Sequence, residues 1–485
     1  MNERHESALK FLKTSIAGSF LTVVRVGTGF GRAKISALVL GTAGVGLLAQ
    51  GNQLVLLVSV LGSFSLAGGL VNQLTSPDHV DRPDIRRSYL STVFSVQIVL
   101  SVMLFLLTLV GSRLVSELTF GNPDEGFKCV LVAAAIPFSV LSTTGYFEGI
   151  LFAAHRYDLY ARALIGAAII GLVSFLTLVY WWGLNGAFVS IPLIAAVTFF
   201  LLAMAVGQVE PLRNVFTFKV DFHALRRLLA FSGTILPTAI IGYGAMLFIR
   251  REVLTTLGAE ANGILQVPLA ITSYYTPLIT QALWGRLHPA VSSKGNTSGA
   301  REELVTALRI VAILSTVMVV GIITFGELMV RLVYSRAFGS ASELLVPQLL
   351  GDYWYLLGLT VSVYFLGTAR LRTYLAGWVA YHLIYIGTTL TYLKSLQILA
   401  LPVGYLVSGL SMALVALIWV ARSHPEKSTY QTLAIIALGA LIIVIQSAVV
   451  TFSPAFAFRL IVPAGCAALM AHRFWTRGLE GLLTA

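Results

Sequence analysis

Residues 34–48 read KISALVLGTAGVGLL, and residues 251–265 read REVLTTLGAEANGIL. In both stretches a basic residue precedes a Leu-Gly pair, and a second glycine follows that pair at the same distance. Two further pairs of stretches match at nearly the same offset of about 217 residues. They are residues 111–115 (GSRLV) with 326–330 (GELMV), and residues 186–190 (GAFVS) with 404–408 (GYLVS). Ordered matches of this kind indicate that the chain contains two copies of one unit.

The composition places these copies in a membrane. Hydrophobic residues make up 57% of the chain and charged residues only 11%, with a mean hydropathy of +0.85. An ordinary soluble domain has about 25% charged residues. One crossing of the hydrocarbon core needs about 20 mainly apolar residues, and the chain offers about fourteen such stretches. They begin near residues 12, 44, 89, 129, 162, 186, 228, 261, 302, 343, 373, 398, 432 and 456.

The repeat and the apolar stretches together predict an all-α polytopic membrane protein with about fourteen transmembrane helices. We expect residues 1–210 to form an N-terminal lobe of six helices and residues 211–227 to form a cytoplasmic linker. Residues 228–425 are expected to form a C-terminal lobe of six helices. Residues 426–485 would then supply two additional helices and a short cytoplasmic tail. No cleavable signal peptide is expected, because residues 1–13 are polar and no small-residue cleavage site follows.

Basic residues set the expected orientation. Most of the 33 Lys and Arg fall on one side of the predicted helices, and such residues accumulate in short cytoplasmic loops. We therefore expect a multi-pass protein of the bacterial cytoplasmic (inner) membrane with both termini in the cytoplasm. The net charge of +12 favours contact with anionic membrane lipid rather than with nucleic acid. Six helices per copy give both lobes the same orientation, so a substrate cavity is expected between them, around a pseudo-two-fold axis.

Basic residues inside the predicted spans are the candidate substrate-binding residues. A charge at the centre of a span costs about 2.5 to 3.5 kcal/mol, so it needs a partner or a wet cavity. Arg25 lies roughly 20 Å into the first helix, too deep for its side chain to reach the interface easily. Arg32 follows on nearly the same helix face. The complete set is Arg25, Arg32, Lys34, Arg250, Arg251 and Arg309. The last four of these lie nearer to helix ends, where reaching an interface is an equal alternative.

Three acidic residues are candidates for ion coupling or charge pairing: Glu148, Glu252 and Asp352. Glu252 could simply neutralise Arg250 or Arg251, and Glu148 could lie at the cytoplasmic interface. Asp352 is expected near mid-depth of its helix, where a structural pair with an arginine and a coupling role are both open.

Signals of soluble enzymes are absent from the sequence. No phosphate-binding Walker loop occurs, so ATP hydrolysis by this chain is not expected. Cys129 and Cys466 lie in different predicted helices without metal-ligand spacing, so no metal site is predicted. No cofactor is expected either. A proton or sodium gradient could drive transport, and so could the membrane potential.

A cavity lined by arginines in an apolar protein suits an amphiphile with an anionic head, such as a lipid-linked phosphate or pyrophosphate. Arginine is well matched to such a head because its guanidinium forms bidentate hydrogen bonds with phosphate.

The chain also resembles a known family at several of these residues. Residues 34–37, 40–46 and Gln50, together with residues 338–343 and 348–352, resemble Wzx-type oligosaccharide flippases. These belong to the multidrug/oligosaccharidyl-lipid/polysaccharide exporter superfamily, and the O-antigen and enterobacterial common antigen translocases are the most similar branch. The resemblance covers about residues 8 to 425.

The resemblance implies two six-helix lobes, a cationic central cavity and alternating access. It further implies an undecaprenyl-pyrophosphate-linked oligosaccharide as the substrate, moved to the outer leaflet for lipopolysaccharide O-antigen or similar polysaccharide biosynthesis. Arg25 would be the family's basic position in helix 1, and a polysaccharide polymerase or chain-length regulator is an expected partner. Many such translocases end after twelve helices, whereas this chain has two more, as in the lipid II flippases. We hypothesise that these two form an apolar groove for the polyprenyl tail.

Two other function classes stay open. A cation-coupled multidrug antiporter would share the fold, although an arginine-bearing helix 1 without a carboxylate disfavours cationic drugs. The second alternative is an enzyme, namely a membrane glycosyltransferase or polysaccharide ligase. Such an enzyme would need a large extramembrane loop for catalysis, and the longest predicted loops have only about 20 residues.

Overall fold

The computed structural model describes residues 20–75, 82–143, 145–452, 459–460 and 462–465. Within these residues every regular element is a helix, which confirms the predicted all-α fold. The main helices are α1 (20–35), α2 (Gly41–Ser63), α3 (Leu66–Leu74), α4 (Pro83–Val110), α5 (Ser112–Phe120), α6 (Gly126–Thr143), α7 (Tyr146–Ala153), α8 (Tyr157–Gly207), α9 (Leu212–Val215), α10 (Phe222–Leu257), α11 (Ala259–Ala282), α12 (His288–Lys294), α13 (Ser298–Val333), α14 (Ala341–Gly367), α15 (Leu371–Leu396), α16 (Ala400–Ser423) and α17 (Lys427–Phe452).

Three helical stretches are too long for a single crossing. Phe20–Ser63, Tyr157–Gly207 and Leu371–Ser423 contain 44, 51 and 53 residues, whereas one crossing needs about 20. Each contains a residue with a positive φ angle, namely Gly41 (+66°), Gly183 (+55°) and Gln397 (+49°). Each stretch is therefore long enough for two crossings that meet at this break.

The break within α8 is a tight turn at Gly183. Its φ of +55° and ψ of −127° are open to glycine, which has no Cβ atom to clash. Beyond this turn Gly186 lies against the backbone of Leu178, so the second half of the helix packs on the first.

Eight described stretches are long and apolar enough to cross a membrane, or nine if the bent pair Phe222–Ala230 and Ile235–Leu257 is one span. The chain is thus a multi-pass membrane protein. The predicted start points from 44 to 432 all fall on the helices or at their ends. The exact number of about fourteen helices is not confirmed. The predicted helix from residue 456, the start of the first helix, Cys466 and both termini lie largely or wholly outside the described residues.

The described helices form two compact units, one within Met1–Gly263 and the other within Ile264–Ala485. The division falls inside α11. The two six-helix lobes that the repeat predicts, residues 1–210 and 228–425, remain a prediction.

The core of the first unit surrounds the start of α7. Tyr146 and Phe147 are fully buried among Leu90 of α4 and Leu202 of α8. The Tyr146 hydroxyl donates a hydrogen bond to the carbonyl oxygen of Val215 at 2.7 Å. Because this tyrosine bonds to the short helix α9, the end of α8 and the segment that follows it are attached to the core.

The segment predicted as a linker, residues 211–227, is held against α4. The backbone N–H of Asp221 donates to Thr92 Oγ1 at 3.0 Å, and Ser88 Oγ donates to the Asp221 carboxylate at 2.6 Å. The same carboxylate caps α10 by accepting from the backbone N–H of His223 at 2.8 Å. The bond from Ser88 and those from the backbone lower the pKa of Asp221 below its usual value.

The second unit is built around α14, whose glycines allow close packing on α16. A Cβ atom on Gly351 would lie 2.5 Å from the ring of Tyr405, and one on Gly358 would lie 3.0 Å from Met412. On another side of α14, the hydroxyl of Tyr353 donates to the carbonyl oxygen of Ile436 at 2.7 Å. Since Ile436 belongs to α17, this bond ties the added C-terminal helix to the centre of the unit.

Candidate functional site

Helix α1 places Arg25 next to an acidic side chain. Arg25 is exposed, and it lies close enough to Glu148 of α7 for the two charges to interact. The hydroxyl of Tyr160, on α8, lies close to the Glu148 carboxyl. Tyr157 is also within electrostatic range of Arg25. Three helices therefore bring a cation, a carboxyl and two phenols together, and we call these four residues the Arg25 cluster.

The Arg25 cluster can exchange partners. Among the described residues, no ion pair in direct contact holds the guanidinium of Arg25. An arginine that is exposed and has one nearby carboxylate can accept a second anionic group, and phosphate offers it bidentate hydrogen bonds. Arg25 and Glu148 are both among the residues selected from the sequence, but their proximity was not predicted.

Arg32 lies on α1 and packs against α8. A Cβ atom on Gly171 would lie 2.6 Å from Arg32 Nη2, so the glycine leaves room for the guanidinium. Arg32 and Lys34 are both partly exposed. The structure thus keeps Arg32 beside a neighbouring helix, while the binding roles of Arg32 and Lys34 remain predictions.

The equivalent glycines of the two repeats, Gly46 and Gly263, contact each other. A Cβ atom on Gly46 would lie 2.7 Å from Gly263 N and would overlap the carbonyl oxygen of Ala259. A Cβ atom on Gly263 would lie 3.1 Å from Gly46 N and would overlap the carbonyl oxygen of Thr42. Thr42 and Ala259 occupy equivalent positions in the two repeats, so the contact is reciprocal. We call this reciprocal contact between α2 and α11 the glycine crossing.

Arg250 is buried beside the glycine crossing, with 3% of its surface exposed. Its Nη1 donates to Asn262 Oδ1 at 3.0 Å, and Asn262 Nδ2 donates to the carbonyl oxygen of Gly46 at 2.9 Å. The guanidinium is therefore inside the unit rather than at an interface. Through Asn262 it stabilises the crossing.

The neighbouring Arg251 forms an ion pair with Glu252, with 2.5 Å between Arg251 Nη1 and Glu252 Oε1. Its Nε also donates to the carbonyl oxygen of Glu117 at 3.3 Å. Of the two arginines that Glu252 could neutralise, the structure thus selects Arg251.

Arg309 links α13 to α17. Its Nε donates to Thr432 Oγ1 at 3.2 Å, and its Nη2 donates to the carbonyl oxygen of Ser428 at 3.4 Å. The structure therefore shows Arg309 in a contact between helices of the second unit. A role in binding substrate remains a prediction.

Asp352 lies at the centre of a buried polar network in the second unit. It has no exposed surface, and its Oδ2 accepts hydrogen bonds from Thr272 Oγ1 at 2.7 Å and from the Tyr275 hydroxyl at 2.6 Å. The amide of Gln348 donates to Thr272 Oγ1 at 3.4 Å, and the hydroxyl of Tyr405 lies nearby. In the described part of the chain, no basic side chain pairs with Asp352. A buried carboxyl whose donors are neutral is suited to binding a proton or a cation.

Sequence reasoning missed Asn262, Tyr160 and Tyr275. For Asn262 there was a usable signal, since it directly precedes the repeat glycine Gly263. Tyr160 and Tyr275 had no such signal. They become relevant only because the fold brings their hydroxyls to carboxyl groups that are distant in the sequence.

A protein-family model described as "Polysaccharide biosynthesis protein" matches residues 39–343, which is more than half of the chain. The chain belongs to this family. Two relatives of the chain are named Lipid III flippase. The one from Escherichia coli (strain K12) is 24% identical over 374 residues, covering 76% of this chain and 88% of the relative. The one from Shigella flexneri has the same identity and coverage.

Solved structures share the fold of this polysaccharide biosynthesis protein. The lipid II flippase MurJ in an inward closed conformation has a TM-score of 0.71 at 15% identity, covering 96% of this chain and 99% of MurJ. An inward-facing multidrug resistance MATE family transporter of the MOP superfamily has a TM-score of 0.65 at 13% identity, covering 85% and 98%. The family model and the flippase relatives, together with the shared fold, thus confirm the resemblance to oligosaccharide flippases of this superfamily.

Proposed function

We propose that this protein flips an undecaprenyl-pyrophosphate-linked oligosaccharide from the cytoplasmic to the outer leaflet of the bacterial inner membrane by alternating access. Its product would enter surface polysaccharide biosynthesis, such as that of lipopolysaccharide O-antigen. The protein acts as a transporter rather than an enzyme, with both termini in the cytoplasm. A polysaccharide polymerase or chain-length regulator would take over the flipped lipid.

The Arg25 cluster is the observation that carries the proposal. A pyrophosphate brings more than one negative charge, so it competes well with the single carboxyl of Glu148 for the exposed guanidinium. The phenols of Tyr157 and Tyr160 are in electrostatic range of Arg25, and their hydroxyls would donate further hydrogen bonds to phosphate oxygens once the head group displaces Glu148. When the substrate leaves, Glu148 again provides the counter-charge. Arg32, Lys34, Arg250, Arg251 and Arg309 would add positive potential around the path of the head group.

The glycine crossing supports alternating access. Gly46 and Gly263 permit backbone contact between α2 and the start of α11. Because the contact consists of small residues and few hydrogen bonds, it can separate without exposing a large apolar surface. Opening at the crossing would release the glycan on the side opposite to its entry.

Asp352 is the proposed coupling residue. Its donors, Thr272 and Tyr275, come from α11, whereas Asp352 is on α14. Binding of a proton or sodium ion at this carboxyl would change the contacts between these two helices. The second copy would then respond to an ion gradient while the first carries the Arg25 cluster.

The decisive experiment measures flipping of a defined undecaprenyl-pyrophosphate oligosaccharide in proteoliposomes that contain the purified full chain. We expect Arg25→Ala to lose transport by at least tenfold, on the order of one charge-assisted phosphate contact, and Arg25→Lys to recover part of it. Arg162→Ala is the matched control, since Arg162 is an exposed arginine of the same unit in a 3.8 Å pair with Asp158. Equal activity of wild type, Arg25→Ala and Arg162→Ala would remove Arg25 from the binding site.

A cation-coupled multidrug antiporter is the second candidate, favoured by the buried carboxyl of Asp352. It would export an organic cation such as ethidium from the same liposomes, and Arg25→Ala would accelerate that export by removing repulsion. A glycosyltransferase or ligase would change the mass of the glycan. Mass spectrometry of the lipid after the flipping assay therefore separates transport from synthesis.

A further inference from the structure

An apolar groove runs between three helices of the second unit, α14, α15 and α16. Its volume is about 370 Å³, within the usual range for a small-molecule site. Gly377 leaves open space in the groove, because a Cβ atom there meets nothing within 4 Å, and the lining includes Ala380 and Val415. Val415 is 71% exposed, so the groove opens to the surroundings of the protein. An open apolar groove in membrane-spanning helices faces hydrocarbon, and a single alkyl chain matches its shape and chemistry.

One end of the groove is basic. The guanidinium of Arg370 lies 5.4 Å from the ring centroid of Trp419, which lines the groove. Arg372 is exposed in the first turn of α15, next to the lining residue Thr373. Arg422 is exposed in the last turn of α16. Because α15 runs back from the end of α14 and leads to α16, all three arginines lie at the same end of the groove.

We infer that the groove binds one acyl chain of an anionic phospholipid, with the lipid phosphate held by Arg370, Arg372 and Arg422. The lipid phosphate would bind at the basic end of the groove, and the acyl chain would extend along the groove over Gly377 and Ala380. The three arginines keep the head group at one membrane surface. A flipped substrate must carry its head to the other surface, so a resident phospholipid fits this site better than the transported lipid does. The preference for a phospholipid over the transported lipid rests on the proposed function, whereas the groove and its basic end are observed independently of it.

Native mass spectrometry of the purified full chain tests the site. The protein is equilibrated with phosphatidylglycerol or with phosphatidylcholine of identical acyl chains, and retained lipid is counted. Each arginine near a phosphate contributes about fivefold to binding, so Arg370→Gln with Arg372→Gln should weaken retention of phosphatidylglycerol about 25-fold. Lys394→Gln is the matched control, because Lys394 is an exposed cation at the opposite end of α15.

Substitutions that fill the groove with a larger side chain test where the acyl chain binds. Gly377→Leu should lower retention of phosphatidylglycerol about tenfold by displacing roughly two methylene groups. Gly387→Leu is the control on the same helix, since a Cβ atom at either glycine meets nothing within 4 Å. Ala380→Leu is a second filling variant if Gly377→Leu does not fold.

The results of these experiments distinguish an anionic phospholipid from other occupants of the groove. Retention of phosphatidylglycerol above phosphatidylcholine, lost in the groove variants and kept in both controls, supports the site. Equal retention of the two lipids, or equal effects of the 377 and 387 variants, overturns it. Displacement of phosphatidylglycerol by undecaprenyl phosphate at equal concentration also overturns it, because the groove would then hold the carrier's polyprenyl chain.

Discussion

Replacing Gly263 by alanine should open the glycine crossing. The new Cβ atom would lie 2.7 Å from the carbonyl carbon of Thr42, whereas ordinary contacts begin at 3.4 Å. The carbonyl oxygen of Thr42 would be closer still, so the helices must separate by more than about 0.7 Å, and overpacking of this kind costs about 1 to 3 kcal/mol. That cost corresponds to a shift of about 5- to 150-fold in the population of the closed crossing. Gly46→Ala should have a similar effect, because the contact is reciprocal, and the two effects should not add.

The assay follows a thiol placed at Val45, which is 5% exposed in the closed crossing. With Cys129 and Cys466 replaced by alanine, the rate of labelling of Val45→Cys by a soluble maleimide reports how often the crossing opens. We expect Gly263→Ala to raise this rate by the factor calculated for the population shift. Gly244→Ala is the control, since a Cβ atom there meets nothing within 4 Å. The reasoning would be refuted if the labelling rates of Gly263→Ala and Gly244→Ala agreed within about twofold. Such agreement would mean that their opening free energies differ by less than about 0.5 kcal/mol.

Three further predictions concern single residues. Asp352→Asn, which keeps an oxygen for the Tyr275 hydroxyl, should abolish acceleration of flipping by an imposed proton or sodium gradient while leaving gradient-free flipping intact; persistence of the acceleration would exclude the coupling role. Arg309→Leu removes the bond to Thr432 and should lower the unfolding free energy by about 1 to 3 kcal/mol, seen as a lower melting temperature; an unchanged melting temperature would show that α17 is held by other contacts. Asp221→Ala should cost about 1 kcal/mol at neutral pH through loss of the α10 cap. The pKa of Asp221 is lowered in the folded protein, so its contribution to the unfolding free energy is present at pH values above the usual pKa of 3.8. That contribution is lost as the pH falls through the lower pKa of the folded state. The melting curves of variant and wild type should therefore converge in acid, and a difference that stays constant with pH would contradict the assignment.

The sequence predicted the class of fold because its signals are local. Runs of apolar residues identify crossings without any knowledge of their neighbours, and they predicted helix starts from residue 44 to residue 432 that coincide with the helices. The repeat was also readable, because Leu40-Gly41 and Leu257-Gly258 keep their spacing from Gly46 and Gly263. The structure adds that these last two glycines touch, which spacing alone does not reveal.

The candidate site was only partly predictable, because its partners are distant in the sequence. The depth of Arg25 could be estimated from its place in the first helix, whereas its proximity to Glu148 depends on how α1, α7 and α8 pack. Asp352 could be placed near mid-depth in the same way. Its hydrogen bonds to Thr272 and Tyr275 come from α11, and no periodicity in the sequence indicates them.

Arg250 and Arg309 illustrate why charge patterns alone leave alternatives open. Both are long side chains near predicted helix ends, where an interfacial position and an interior position are equally compatible with the sequence. The structure buries Arg250 against Asn262 and uses Arg309 to join α13 to α17. The choice depends on hydrogen-bond acceptors of a neighbouring helix, which the charge pattern does not indicate.

The most direct test of the proposed function compares two substrates in one preparation of proteoliposomes. One is an undecaprenyl-pyrophosphate oligosaccharide, and the other is a lipophilic organic cation such as ethidium. Our account predicts that wild-type protein flips the pyrophosphate lipid without changing its mass, that Arg25→Ala flips it at least about tenfold more slowly, and that neither protein moves the cation. Export of the cation by the wild-type protein, with no flipping of the pyrophosphate lipid, would contradict it.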